Sequence, residues 1–202
     1  MRPNHVCLST LNACDALLDT RPQVIGAAFE KDFYNCKIDG VIASGGLLKV
    51  GAQFLPPMPI VQVLVWLAQY YPKIIMPATN FESTFDDAFG DKDWAKTFRA
   101  DPKVAMEIKV TIGAVAATLA TGSKLLVKAK EFPVPFYAIH GKGDVRTSCE
   151  AMEEFVDNIG PSMASMDIID TTGHQLLQDK PEIVQDVLNK ITNWILKSVK
   201  EN

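Results

Sequence analysis

The feature that most limits how this chain can fold is a set of three short apolar runs, each closed by glycine. They are Asp39–Ser44 before Gly45 and Gly46, Val134–His140 before Gly141, and Met166–Thr172 before Gly173. None alternates apolar with polar residues, so each reads as a strand buried on both faces. Amphipathic helical stretches follow the second and third runs. Thr147–Ile159 opens with Thr147 and has Glu150 three residues later, the spacing of a capping box. Pro181–Val199 places Pro181 in its first turn and Ile183, Val187, Ile191, Trp194 and Ile195 on one stripe. Strand, helix, strand, helix predicts an α/β fold with a parallel sheet and crossover helices.

The interval between the first two runs is too long for one crossover. It holds the proline-rich segment Leu55–Pro59, an apolar helix to about Tyr71, a polar and aromatic stretch near Phe81–Phe98, and helical patterning from Asp101 to about Lys130. An insertion of that size is a subdomain, read here as a helical lid over 49–130. The core then comprises 39–48 and 131–202. Residues 1–38 form an N-terminal helical remnant, with helices expected over Leu8–Leu18 and Val24–Phe33.

Composition narrows the function class. The 202 residues carry a formal charge of -4 and no cluster of arginine and lysine with interleaved aromatics, which excludes the usual nucleic-acid binder. The four cysteines, Cys7, Cys14, Cys36 and Cys149, show no CxxC spacing, so free thiols in a reducing compartment are expected. The N-terminus leads into no continuous apolar stretch, and the run Met58–Leu67 is shorter than the ~20 residues a spanning helix needs. A soluble, cytoplasmic protein is expected, with no cofactor. His5, His140 and His174 lack metal-ligand spacing. Oligomeric state is left open.

Two loops carry the chemistry, His140–Asp144 and Thr171–His174, and each begins where a predicted parallel strand ends. Sites in open α/β sheets form at those carboxyl ends. Asp144 and His174 should therefore share one edge, where a carboxylate can fix the tautomer of an imidazole and stabilise its protonated form. Taken singly, Asp144 between glycines is an ordinary turn residue and His174 an ordinary capping or surface histidine. The joint placement carries the catalytic reading. His140 is expected to be structural, a strand-end residue contacting backbone.

The stretch from Asp39 to Ile195 resembles the monoacylglycerol lipase and plant lysophospholipase group of serine α/β-hydrolases. The likeness rests on DGVIAS, LPPMPIVQVLVWLAQYYPK, VPFYAIHGKGDVRT, TTGHQLLQDKPE and the NWIL of the last helix. It implies an incomplete α/β-hydrolase fold of about three parallel strands with flanking helices and a lid. It also implies a carboxylic-ester hydrolase acting on lipid or small esters, with Asp144 as the triad acid and His174 as the general base. Phe54, Trp66 and Tyr70 of the lid would line an acyl pocket, or the lid would touch a membrane surface.

The nucleophile is missing. The G-x-S-x-G turn that exposes the serine in this fold occurs nowhere in the chain. Ser44 is followed by the lid and not by a helix, Ser162 lies between a helix and a strand, and Ser123 lies within helical patterning. By the resemblance, Ile25–Ala28 would match the end of the elbow and place the serine near Gln23, where no hydroxyl stands. Cys7 and Ser9 could end a short strand, without a glycine after them. The alternative to an enzyme is therefore an inactive relative that binds a lipid or a partner protein.

Overall fold

A computed structural model describes residues 7–9, 25, 40–76, 85–101 and 110–200. Its centre is a parallel sheet of four strands in spatial order β1 (Cys7–Ser9), β2 (Val41–Ser44), β3 (Phe136–Gly141) and β4 (Ala164–Ile169). The three glycine-closed runs are β2, β3 and β4. The third begins two residues earlier than expected and ends at Ile169.

The fourth strand is a correction. Leu8 and Ser9 were expected in a helix over Leu8–Leu18, though Cys7 and Ser9 could also end a short strand; Cys7–Ser9 is a strand and pairs with β2 in register Cys7 to Val41 and Ser9 to Ala43. Three residues carry too little periodicity to outweigh the helical pattern that follows, whereas an open ladder beside β2 satisfies their backbone groups. The remainder of that helix lies outside the described residues. So does Val24–Phe33, apart from Ile25, which is helical and buried.

Burial on both faces is visible residue by residue in β2 and β3; β4 departs from that expectation, because it pairs on one side only among the described residues and leaves Ser165 and Ile168 exposed. Val41, Ala43, Phe136 and Ala138 point to one side, packed with Leu125, Ala129, Phe132, Met152 and Phe155. Ile42, Tyr137 and Ile139 point to the other, packed with Leu176, Val187 and Ile191. Helix α4 (Cys149–Ile159) covers the first face and α5 (Pro181–Lys200) the second, where Trp194 stacks on Tyr137 with centroids 5.7 Å apart. Phe132, Phe136 and Phe155 meet edge-to-face at 5.3–5.6 Å, the arrangement that ring quadrupoles favour.

Between β2 and β3 lies a helical segment, referred to as the cap: α1 (Met58–Ala68), a 3-10 turn Phe85–Ala88, α2 (Lys92–Ala100) and α3 (Ile112–Lys128). Prolines at 56, 57 and 59 enter α1, and Pro59 lies in its first turn, where the missing N–H costs nothing. Asp91 and Thr111 cap α2 and α3 through their side-chain oxygens. Ile112–Glu131 is long and apolar enough to cross a bilayer by length and composition. Here α3 packs on α1 and α4 and buries Ile112, Gly122 and Leu125.

Candidate active site

Because the sheet is parallel, the loops after β2, β3 and β4 open at one edge. The loop after β3 turns at once: Asp144 N–H donates to Gly141 O at 3.1 Å. The adjacent loop is fastened to it, with Gly143 N–H donating to Thr171 O and Lys142 N–H to Ile169 O, both at 2.8 Å. These ties bring Asp144 and His174 together. Asp144 Oδ2 lies 2.8 Å from His174 Nδ1, with the carboxylate side chain 0% and the imidazole 2% exposed.

The carboxylate is densely solvated by the protein. Its Oδ1 accepts from the N–H groups of Arg146 (2.8 Å) and Thr147 (3.3 Å), and its Oδ2 also accepts from Thr147 Oγ1 at 2.8 Å. His140 Nε2 stands 3.3 Å from the same Oδ2 and 3.2 Å from Thr147 Oγ1. Burial pushes the Asp144 carboxyl up, but hydrogen bonds from His140 and His174 outweigh it and hold the group well below the usual carboxylate range. It is therefore an anion, the state in which it orients an imidazole through Nδ1–H.

His140 departs from expectation. It is wholly buried and contacts two side chains instead of backbone. Its Nδ1 has no partner among the described residues. A buried N–H without an acceptor is rarer than an unfilled lone pair, so the proton belongs on Nε2, facing Asp144. Thr147 also departs from its expected place as helix cap. Ser148 takes that role, accepting from Ala151 N–H at 3.1 Å, and frees the Thr147 hydroxyl for Asp144. The signal was present in the sequence: a hydroxyl three residues beyond an aspartate reaches back to it as readily as forward to a helix.

Gly45 was also not singled out. It has φ of +62°, and a Cβ there would lie 3.0 Å from His174 O and 3.1 Å from His174 Nδ1. Only glycine combines that backbone with so close an approach. The second element missed is Arg146, 6% exposed, with its guanidinium over the Phe54 ring at 5.7 Å. Burial lowers its pKa, with Asp144 and Asp87 opposing.

His174 opens into an apolar cavity between sheet edge and cap. Leu47, Val50 and Phe54 line it after β2, Val61 and Leu64 from α1, and Ile112 and Val115 from α3. Arg146, Thr147 and His174 supply its polar end. Of the three lid residues expected at an acyl pocket, Phe54 lines this cavity. Trp66 and Tyr70 are not among the lining residues: they are 58% and 64% exposed and pack against each other on the outer surface, centroids 5.4 Å apart. On α1 the inward stripe is Val61, Leu64 and Val65, and Trp66 falls on the opposite side. Among the described residues no cluster of His, Cys, Asp and Glu could hold a metal ion.

A parallel sheet under a helical cap, with an aspartate and a histidine joined in the loops after its last two strands, defines the α/β-hydrolase class. Within that class the chain belongs to the serine aminopeptidase S33 family, whose model matches residues 25–181. It is 24% identical over 165 residues to a Schizosaccharomyces pombe protein assigned as a monoglyceride lipase, covering 81% of this chain and 42% of that one. Its fold is similar to a Paleococcus ferrophilus monoacylglycerol lipase (TM-score 0.72, 17% identity, 88% of this chain and 65% of that one). It is likewise similar to a soluble variant of monoglyceride lipase from Saccharomyces cerevisiae (TM-score 0.69, 17% identity, 88% and 59%). The chain thus spans less than half the length of the first relative and about three fifths of the two solved structures.

Proposed function

We propose that this chain carries the acid–base and acyl-binding part of a lipid-ester hydrolase site, with a monoacylglycerol-like ester as substrate class. The observation that carries the reading is the junction of two unlike environments at His174. One ring nitrogen is held by a buried carboxylate at 2.8 Å, and the residue borders an apolar cavity large in aliphatic surface. In the reaction so read, an attacking hydroxyl passes its proton to His174 Nε2 while its oxygen bonds the ester carbonyl carbon. Asp144 stabilises the imidazolium without taking the proton, and His174 then protonates the departing alkoxide. The acyl chain lies along Leu47, Val61 and Ile112.

The hydroxyl is the part without a motif. Strand β1 ends at Ser9 on the same edge as Asp144 and His174, and the segment after it lacks G-x-S-x-G. That absence favours a second reading, a relative that binds a lipid ester or fatty acid without turning it over. Loss of the nucleophile from such a triad costs roughly a million-fold in turnover.

A fluorophosphonate probe with mass-spectrometric mapping separates the two. Covalent labelling of one residue in the segment following β1, abolished by His174→Ala, is the outcome expected for a hydrolase. No labelling, with saturable fatty-acid binding that competes for the cavity, would establish the binding protein instead.

The outer face of the cap extends the proposal to a membrane surface. Met58, Val63, Trp66, Tyr70 and Tyr71 are each about 60% exposed, and such a concentration of apolar and aromatic groups on one helical segment suits peripheral contact with lipid. Sedimentation with phosphatidylcholine vesicles, weakened by Trp66→Ala with Tyr70→Ala, is the expected result. Unchanged sedimentation of that double variant would remove this part of the proposal.

A further inference from the structure

A second carboxylate, unused in the scheme above, lies against the loop that carries His174. Asp179 is 2% exposed, between the 3-10 turn Leu176–Gln178 and α5. Its Oδ1 accepts from Lys180 N–H at 2.7 Å and its Oδ2 accepts from Thr171 Oγ1. Thr171 Oγ1 accepts in turn from Gly173 N–H at 3.0 Å. The carboxylate is thus two hydrogen bonds away from the residue that precedes His174.

The cap reaches the same place. A Cβ on Gly90 would lie 2.2 Å from Asp179 Oδ2, and a Cβ on Gly173 would lie 2.7 Å from Gly90 N and 2.6 Å from Asp179 Oδ2. The cap backbone and the histidine loop therefore meet in a contact that admits no side chain at either position. On the other side of His174, Gln175 N–H donates to Ala88 O at 2.9 Å. The histidine is flanked in sequence by two attachments to one cap segment.

That segment is itself a firm body. Phe85, Ala88 and Phe89 are buried with Ala95 in a small core of the cap's own, and Phe98 packs on it. Lys92 Nζ donates to Asp86 O at 2.8 Å and Phe89 O at 3.2 Å, closing the turn onto α2. A displacement of α2 would carry the Phe85–Gly90 segment with it and pull on both attachments.

We propose that Asp179 is a positioning residue through which the docked cap sets the orientation of His174. With Gly90 seated on Asp179, the Thr171 hydroxyl is held and the loop presents the imidazole to Asp144. With the cap lifted, the loop is released at Gly173 and Gln175 together, and the imidazole loses its fixed place on the carboxylate. The state of the cap over the cavity and the readiness of the base are then one equilibrium. This rests on the reading of His174 as the base, but its test does not depend on turnover.

The test follows the His174 Nδ1 proton by NMR in the full chain labelled with 15N-histidine. In the unaltered protein a downfield Nδ1 proton that disappears in Asp144→Asn is expected. Asp179→Ala and Gly90→Ala should each accelerate its exchange with water at least tenfold. Asp179→Asn keeps an acceptor for Thr171 and should recover part of the protection. Should Asp179→Ala fail to fold, Thr171→Val removes the relay while leaving the hold on Lys180 N–H, and should give the same acceleration. Exchange unaltered in Gly90→Ala and Thr171→Val overturns the proposal. A downfield proton insensitive to Asp144→Asn would instead remove the reading of the acid–base pair itself, and the proposal with it.

Discussion

The strand-end loops and the outer face of the cap break the usual rules of burial in opposite directions. At the loops, a carboxylate and two imidazoles are withdrawn from water almost entirely. On α1 and the turn after it, tryptophan, tyrosines and aliphatic side chains stand more than half exposed. Scattered exposed apolar residues need no explanation, but a buried charge and a concentrated apolar face do. The buried set is stabilised because each lone pair of Asp144 meets a donor. The exposed set has no such compensation within the described residues, which is why a lipid surface is proposed for it. Stability should therefore depend on the first region and hardly on the second.

The largest effect is expected at Asp144. Replacing it with alanine leaves two buried imidazoles and the Thr147 hydroxyl without their acceptor, and each buried donor left unsatisfied costs about 1–3 kcal/mol. Urea unfolding should show that loss. A change below about 1 kcal/mol would mean that the network is not a stabilising unit.

The same carboxylate makes an acid-sensitive contribution. Its folded pKa lies well below the usual range, whereas in the unfolded chain it titrates near 4. The stability it supplies is thus complete above about pH 5 and is lost as the pH falls from there towards the depressed folded value. Thermal midpoints measured from pH 7 to pH 3 should fall less steeply in Asp144→Asn than in the unaltered protein.

A smaller effect is expected at Gly45→Ala. An L-residue at φ +62° costs about 1–2 kcal/mol, and its methyl would press on His174. Denaturant unfolding measures the cost, and a histidine spectrum should show the ring displaced. The smallest effect belongs to the cap. Trp66→Ala touches no core, so thermal unfolding should place it within about 0.5 kcal/mol of the parent even where vesicle binding drops.

Three of the four strands were legible as apolar runs with glycine at their exits, and two of them, β2 and β3, are buried on both faces, whereas β4 is not. The first strand was weighed only as one that Cys7 and Ser9 could end, against a helix from Leu8, since three residues cannot display a period and its support is the ladder with β2. The Asp144–His174 pair was legible from topology: two loops after neighbouring parallel strands must share an edge. Its surroundings were less so. His140 acts through side-chain geometry around one carboxylate and Gly45 through a backbone torsion, neither of which residue type and spacing encode; Thr147 stands three residues beyond Asp144, a spacing that serves a helix cap equally well. The lid was read as a helical insertion, but which face of α1 turned inward was not. An apolar helix of MPIVQVLVWLA offers hydrophobic residues on all sides, so pattern alone could not send Val61 and Leu64 to the cavity and Trp66 to solvent.

The pairing of Asp144 with His174 is tested most directly by the tautomer of one imidazole. A long-range 1H–15N spectrum, recorded where the ring is neutral, should show His174 protonated at Nδ1 and bare at Nε2, with that preference lost in Asp144→Ala. A ring carrying its proton on Nε2, or one indifferent to the loss of the carboxylate, would contradict the site described here.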